Sequence, residues 1–268
     1  SRKEKRKLKK RQSQPEPTPA ADSTTVEKSK PSTPPNNPPK QRKPPTPDTL
    51  LPRSLKDPMP PTKYYPLLVC SIGNPGAQYA KTLHSAGHSI LQTIQERGVY
   101  QPFTRGMYGL VARAGTTTRV HGVLTGWTKE VKASDDITLW QSTHLMNASG
   151  TSVKKAWMEF SAEQRQRGLE PRLVVVHDEL ESDLGKVTVK DGASSARGHN
   201  GLKSIQAAFP GNLKWWRVGV GIGRPQSRDA NVVSQYVLRK MTIREEAAIE
   251  KAAASVHRVL QDIADGTR

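Results

Sequence analysis

The chain has 268 residues, of which 42 are Lys or Arg and 24 are Asp or Glu, a formal net charge of +18. Only 34% are hydrophobic, too few for a chain that is globular throughout. No run of about 18 apolar residues is present to span a membrane, and the single Cys70 excludes an internal disulfide or a Cys-rich zinc site. The positive excess points to a polyanionic partner, with nucleic acid ahead of a membrane surface because no amphipathic basic stripe is evident.

Residues Ser1 to Pro60 hold 14 of the 21 prolines, no aromatic residue, and 15 basic against 6 acidic side chains, a balance of +9. Such a segment cannot bury enough apolar surface to offset its ordering entropy, so a disordered, basic, Pro-rich extension is expected over 1–63. It opens with Arg2, Lys3, Lys5, Arg6, Lys7, Lys9, Lys10 and Arg11, a block suited to phosphate contact; a solubilising tail or the remnant of a targeting peptide is the plainer reading.

From Tyr64 the composition changes, and apolar runs rich in β-branched residues alternate with segments of helical period, as in one compact α/β domain over 64–268. In chain order the pattern predicts a strand at Leu67–Ile72, a helix at Tyr79–Arg97, and strands at Tyr108–Ala114, Thr118–Leu124 and Ile137–Gln141. A helix at Ser149–Phe160 follows, then strands at Leu173–His177 and Lys186–Lys190, a helix at His199–Ala208 and a strand at Trp216–Gly221. Helices at Ala230–Val237 and Ile243–Ile263 close the chain. The last carries Ile243, Ala247, Ile249, Ala253, Val256, Val259 and Leu260 at roughly helical spacing, with charges on its other face.

The first strand runs into Gly73, Asn74, Pro75 and Gly76. This is a poor dinucleotide site: the spacing is GxxG rather than GxGxxG, Pro75 removes an N–H donor, and no acidic residue closes a second strand. What the turn offers is Asn74 at a strand end and His84 near a helix start. Asn147 lies between a strand and a helix, Asp178 closes the run Val174–Val175–Val176–His177, and His199 and Asn200 open a further helix. Taken singly, Asn147 and Asn200 read as helix caps and each His as a structural residue. Together, amides, an acid and imidazoles at the loop ends of one sheet supply a base, its orienter and carbonyl binders. No Ser sits in a GxSxG elbow and Cys70 falls within a strand, so water activated by His is the economical chemistry. His177, Asp178 and Glu179 in a row suggest a metal, but no second ligand pair stands at helix spacing, and neither metal nor cofactor is expected.

The segments SIGNPGAQYAKTLHSAGH, HLMNASG, VVVHDELESDLGKV, GHNGLKSI and GVGIGRP occur in an order and spacing that resembles the bacterial-type peptidyl-tRNA hydrolase family over about Leu67 to Ile263. The resemblance implies a single α/β domain with a twisted mixed sheet flanked by helices, and metal-free cleavage of the ester joining a peptide to the 3′ end of tRNA. It implies further that His84 is the general base and Asp178 its orienting carboxylate. Asn74 and Asn147 would hold the ester and peptide backbone and donate to the oxygen that gains charge, Asn74 counting with the catalytic residues. Tyr79, His199 and Asn200 would be further substrate contacts, and Lys190, Arg197, Lys203 and Arg217 would meet the tRNA. Three departures stand out. Leu83 and Ser85 flank the base where the family has Arg and Asn; the glycine-rich stretch before GHNG reads Asp191 to Arg197; and Gly219 replaces the second of two Arg residues. If that Arg clamps the tRNA 5′ phosphate, the clamp is weakened and Lys190 keeps its other half.

The leading expectation is therefore a hydrolase recycling tRNA from peptidyl-tRNA, monomeric and free of any membrane, and mitochondrial because a bacterial-type enzyme carries a basic Pro-rich extension. The extension is a candidate contact for ribosomal RNA or the ribosome. The alternative is a non-catalytic RNA-binding or ribosome-associated protein that keeps the fold. Presence of Asn74, His84, Asn147, Asp178 and Asn200 together favours the enzyme.

Overall fold

The computed structural model describes residues 64–115, 118–121, 128–131, 137–211 and 213–268. The extension at 1–63 and the end of the strand expected at Thr118–Leu124 lie outside the described residues. The elements are β1 (Leu67–Ser71), α1 (Ala86–Arg97), β2 (Thr104–Gly106), β3 (Gly109–Ala112), β4 (Thr118–His121), β5 (Thr128–Val131) and β6 (Ile137–Gln141). These are followed by α2 (Ser149–Gln166), β7 (Arg172–Glu179), β8 (Val187–Asp191), α3 (Asn200–Ala208), β9 (Trp215–Gly221), α4 (Ala230–Leu238) and α5 (Ile243–Ala264).

Seven strands form one mixed sheet in the order β2-β3-β6-β1-β7-β9-β8, and β4 pairs with β5 in a separate ribbon. The middle strands β6, β1, β7 and β9 are parallel; β3 and β8 run against them at the two flanks, and β2 pairs antiparallel with β3. Leu67 to Ser71 of β1 and Leu173 to Glu179 of β7 are buried throughout, as continuous apolar runs in parallel strands require. Alternate residues feed two cores. Leu67, Val69, Val174 and Val176 pack with Ile90, Ile94, Val256 and Leu260 of α1 and α5 on one face. On the other, Leu68, Cys70, Leu173 and Val175 pack with Val153, Phe160, Leu202 and Ile205 of α2 and α3.

β1 continues through α1 towards β2 and β3 on one side, whereas β6 returns through α2 across β1 to β7 on the other. The sheet therefore changes winding direction between β1 and β7, where such folds open a crevice at the strand carboxyl ends.

The chain departs from the expected elements in places that matter. The helix expected from Tyr79 begins only at Ala86, after a 3-10 turn at Leu83–Ser85. The Tyr79 carbonyl accepts from both the Thr82 and Ser85 hydroxyls at 2.9 Å, and Lys81 is left-handed at φ 57°, so the backbone there is committed to a turn. β7 runs two residues past the expected end, so His177, Asp178 and Glu179 are within the strand. β2 and β5, three and four residues long, were not signalled by any apolar run. The last helix starts where its pattern places it, fixed by a capping box between Thr242 and Glu245.

Candidate active site

His84 stands on the 3-10 turn ahead of α1, and Asp178 on the penultimate position of β7. Gly87 permits their meeting: a Cβ there would lie 2.6 Å from the Val176 carbonyl, so α1 packs on β7 more closely than any other residue allows. His84 Nδ1 donates to Asp178 at 3.0 Å from both carboxylate oxygens, which leaves Nε2 as the ring position with an open lone pair.

His199 is the N-cap of α3. Its Nδ1 accepts from the Leu202 N–H at 3.3 Å, so the ring proton is on Nε2, which donates to Asp178 Oδ1 at 3.0 Å. Sequence reasoning foresaw His199 as a substrate contact and missed this bond; the signal was its place one residue ahead of a helix. Asp178, 2% exposed, thus receives two imidazole N–H donors.

The electrostatics follow. Burial pushes the Asp178 carboxyl up, but the His84 and His199 charges and hydrogen bonds outweigh it and hold the group far below the usual carboxylate range. For His84, burial pulls the imidazole down and the Asp178 charge and hydrogen bond raise it further, for a net rise above its ordinary 6.5. One residue earlier His177 is fully enclosed; burial and the neighbouring His199 push it down to about 3.

A cavity of about 520 Å³ opens over this cluster, lined among others by Asn74, His84, Asn147, Asp178, His199 and Asn200. Asn74 Oδ1 accepts from the Met146 N–H at 2.8 Å, which leaves its amide hydrogens as donors. Asn147 and Asn200 are exposed and have no hydrogen-bond partner among the described residues, so neither amide is consumed as a helix cap. Leu180, Val233, Val237 and Leu238 give the same cavity an apolar wall that no motif announced.

The structure does not gather all the expected residues. Tyr79 is half-buried, and its contribution is the carbonyl that fixes the His84 turn; it is absent from the cavity lining. Arg197 and Lys203 are exposed, Arg197 at the cavity rim. Lys190 donates to Glu179 at 2.6 Å. Arg217 was expected to meet the tRNA and is instead buried in the cavity lining: it is 2% exposed and donates from Nη2 to the Ser195 carbonyl, with Nε and Nη1 lacking a partner among the described residues. Its strand position, side chain alternating with Val218 and Val220 into the opposite core, explains the burial. At Gly219 a Cβ would sit 2.7 Å from Thr188 Oγ1 and 3.0 Å from Glu179 Cβ, so an Arg could not be accommodated there without moving both.

His84, Asp178 and His199 also bring potential ligand atoms within 4.8 Å of one another, a different set from the His177–Glu179 run. Those atoms are joined by N–H···O bonds of 3.0 Å, and a cation would have to displace both ring protons to bind there. The donor set fits proton transfer with no metal.

A family model described as peptidyl-tRNA hydrolase matches residues 68–268. The peptidyl-tRNA hydrolase of Thermodesulfovibrio yellowstonii is 33% identical over 201 residues, covering 75% of this chain and 94% of the relative. That of Saccharomyces cerevisiae is 34% identical over 183 residues, covering 67% and 86%. A crystal structure of the Acinetobacter baumannii peptidyl-tRNA hydrolase superposes with a TM-score of 0.55 at 23% identity, over 77% of this chain and 91% of that one, and shows the same fold.

Proposed function

The chain belongs to the peptidyl-tRNA hydrolase family, and from that premise we propose that water activated by His84 cleaves the ester between a peptide and the 3′ end of tRNA. The enzyme is an ester hydrolase acting on peptidyl-tRNA. The observation that carries the mechanism is His84, tied through Nδ1 to Asp178, with Nε2 open on the cavity.

Water gives a proton to Nε2 as its oxygen bonds to the ester carbonyl carbon. The carbonyl oxygen becomes an oxyanion, and the Asn74 amide, oriented by its bond to Met146, donates to it, with Asn147 beside it. Collapse breaks the bond to the tRNA 3′ oxygen, which takes the proton back from His84 Nε2, and the peptide leaves as a carboxylic acid that gives its remaining proton to solvent. Asp178 stays ionised throughout and stabilises the imidazolium. Asn200 offers an amide to the peptide backbone, while the exposed Arg197 and Lys203 supply charge for the tRNA and Lys190 is held by Glu179. All these groups come from one chain, so a monomer suffices. Incubation with an N-blocked aminoacyl-tRNA should release free tRNA, and His84→Ala should not; hydrolysis by the variant at the parent rate would remove His84 from the mechanism.

The +9 carried by Ser1–Pro60 supports two further readings. One is a mitochondrial address, tested by fusing 1–63 to a fluorescent reporter and scoring co-localisation. The other is contact with tRNA or ribosomal RNA: deleting 1–60 should flatten the slope of log affinity against log salt, because each phosphate neutralised contributes about 0.7 to 0.9. An unchanged slope would mean that the segment does not touch RNA.

A further inference from the structure

β2 and β3 form a hairpin closed by only two residues, Met107 and Tyr108, with Gly106 paired to Gly109. Such a turn requires left-handed backbone at both positions, and Asn and Gly are the residues suited to it. Here φ is 49° at Met107 and 61° at Tyr108, a conformation that costs a non-glycine residue about 1 to 2 kcal/mol. For Met107 the cost is offset by packing, since it is 7% exposed in the core under α2. Tyr108 has no such return: 56% of it is exposed, and its large ring stands out from a strained backbone. The tip is held rigidly, because Trp140 Nε1 donates to the Met107 carbonyl at 2.9 Å.

The surroundings of the ring are cationic. Lys155 Nζ lies 5.1 Å from its centroid; Lys154, next to it on α2, and Arg105, on β2 three residues before Tyr108, are exposed, as is the acid Glu159 one turn further along α2. The register places the hairpin tip at the catalytic edge of the sheet: Leu110 pairs with Gln141 at the carboxyl end of β6, and Gln141 with Ser71 at the end of β1. From β3 to β1 is two strand spacings, about 10 Å, the span of roughly three bases stacked at about 3.4 Å.

We propose that Tyr108 is a stacking platform for a base of the single-stranded 3′ end of tRNA, upstream of the nucleotide that bears the ester, with Lys154, Lys155 and Arg105 meeting the adjoining phosphates. An aromatic face flanked by cations is the arrangement by which single-stranded nucleic acid is held without sequence readout. This rests on the reading of the chain as a peptidyl-tRNA hydrolase and adds a binding site to it.

The test compares an N-acetyl-aminoacyl-tRNA with the N-acetyl-aminoacyl ester of adenosine, which lacks the upstream nucleotides. Tyr108→Asn keeps a residue that tolerates positive φ, and Tyr108→Phe keeps the ring. Tyr108→Asn should raise KM for the tRNA substrate about tenfold with kcat unchanged and leave the adenosine ester untouched, while Tyr108→Phe behaves as the parent. An unchanged KM for the tRNA substrate, or an equal loss on both esters, would overturn the proposal. If the parent cleaves neither ester, the functional reading is what fails. Quenching of 2-aminopurine in a single-stranded 3′ RNA end, present in the parent and lost in Tyr108→Asn, then decides the stacking claim by itself.

Discussion

At the carboxyl end of β7, Asp178 takes hydrogen bonds from His84 and His199, while its neighbours His177 and Glu179, which also line the cavity, are bonded to the Asp178 carbonyl and to Lys190 of β8. Both regions hold imidazole and carboxylate, and the second holds the Lys190 cation as well. In the first, one carboxylate faces two rings and leaves a basic nitrogen open; His84 is raised above 6.5. In the second, Glu179 is closed on Lys190 at 2.6 Å, and His177 spends its Nδ1 proton on the Asp178 carbonyl at 2.7 Å. Among the described residues no carboxylate oxygen is hydrogen-bonded to the His177 ring, and burial drives it down to about 3. An imidazole becomes a base near neutral pH through the group that faces it, not through being buried beside an active site.

The largest expected break in this contrast is His84→Ala, which should lower kcat on N-blocked aminoacyl-tRNA by about 10²- to 10⁴-fold with an unchanged circular dichroism spectrum. Asn74→Ala comes next, at about 10²-fold or slightly more, read as a fall in kcat rather than a rise in KM because the donor acts on charge that develops only in the transition state.

Stability sharpens the contrast through its pH dependence. The Asp178 pKa is depressed in the folded protein, so its contribution is complete above the unfolded value of about 3.9 and fades as pH falls towards the lower folded value. His84 has the opposite sign: its raised pKa stabilises below about 6.5 and is lost as pH rises through the folded value. Asp178→Asn should therefore show a weaker loss of stability with acid between about pH 4 and 2 in urea titrations; an acid limb as steep as the parent's would remove Asp178 as its source.

The smallest effect belongs to the second region. His177→Asn, which can keep an N–H near the Asp178 carbonyl, should hold kcat/KM within about threefold and leave its pH midpoint in place. A midpoint shift comparable to that of an Asp178 variant would erase the distinction between the two regions.

Much of this was legible in the chain. The apolar runs within Leu67–Ile72 and Leu173–His177 declared two strands, and the acid and amides at the loop ends of the sheet marked the catalytic edge. What stayed hidden depended on geometry across the sheet. The delayed start of α1 came from Thr82 and Ser85 competing for the Tyr79 carbonyl, and the burial of Arg217 from its side of β9. The His199–Asp178 bond needed the α3 N-terminus to be brought beside β7, and the strain at Tyr108 needed the two-residue turn; neither leaves a trace in hydrophobic periodicity.

The claim that Asp178 makes His84 the base is tested most directly by the pH profile of kcat/KM for N-blocked aminoacyl-tRNA in the parent and in Asp178→Asn. The base acts when neutral, so activity in the parent should rise with pH through a midpoint above 6.5, where His84 loses its proton. With the carboxylate gone, burial is the remaining influence on the ring, and the midpoint should fall below 6.5 with a lower plateau. A midpoint that stays where it was in the parent would contradict the account.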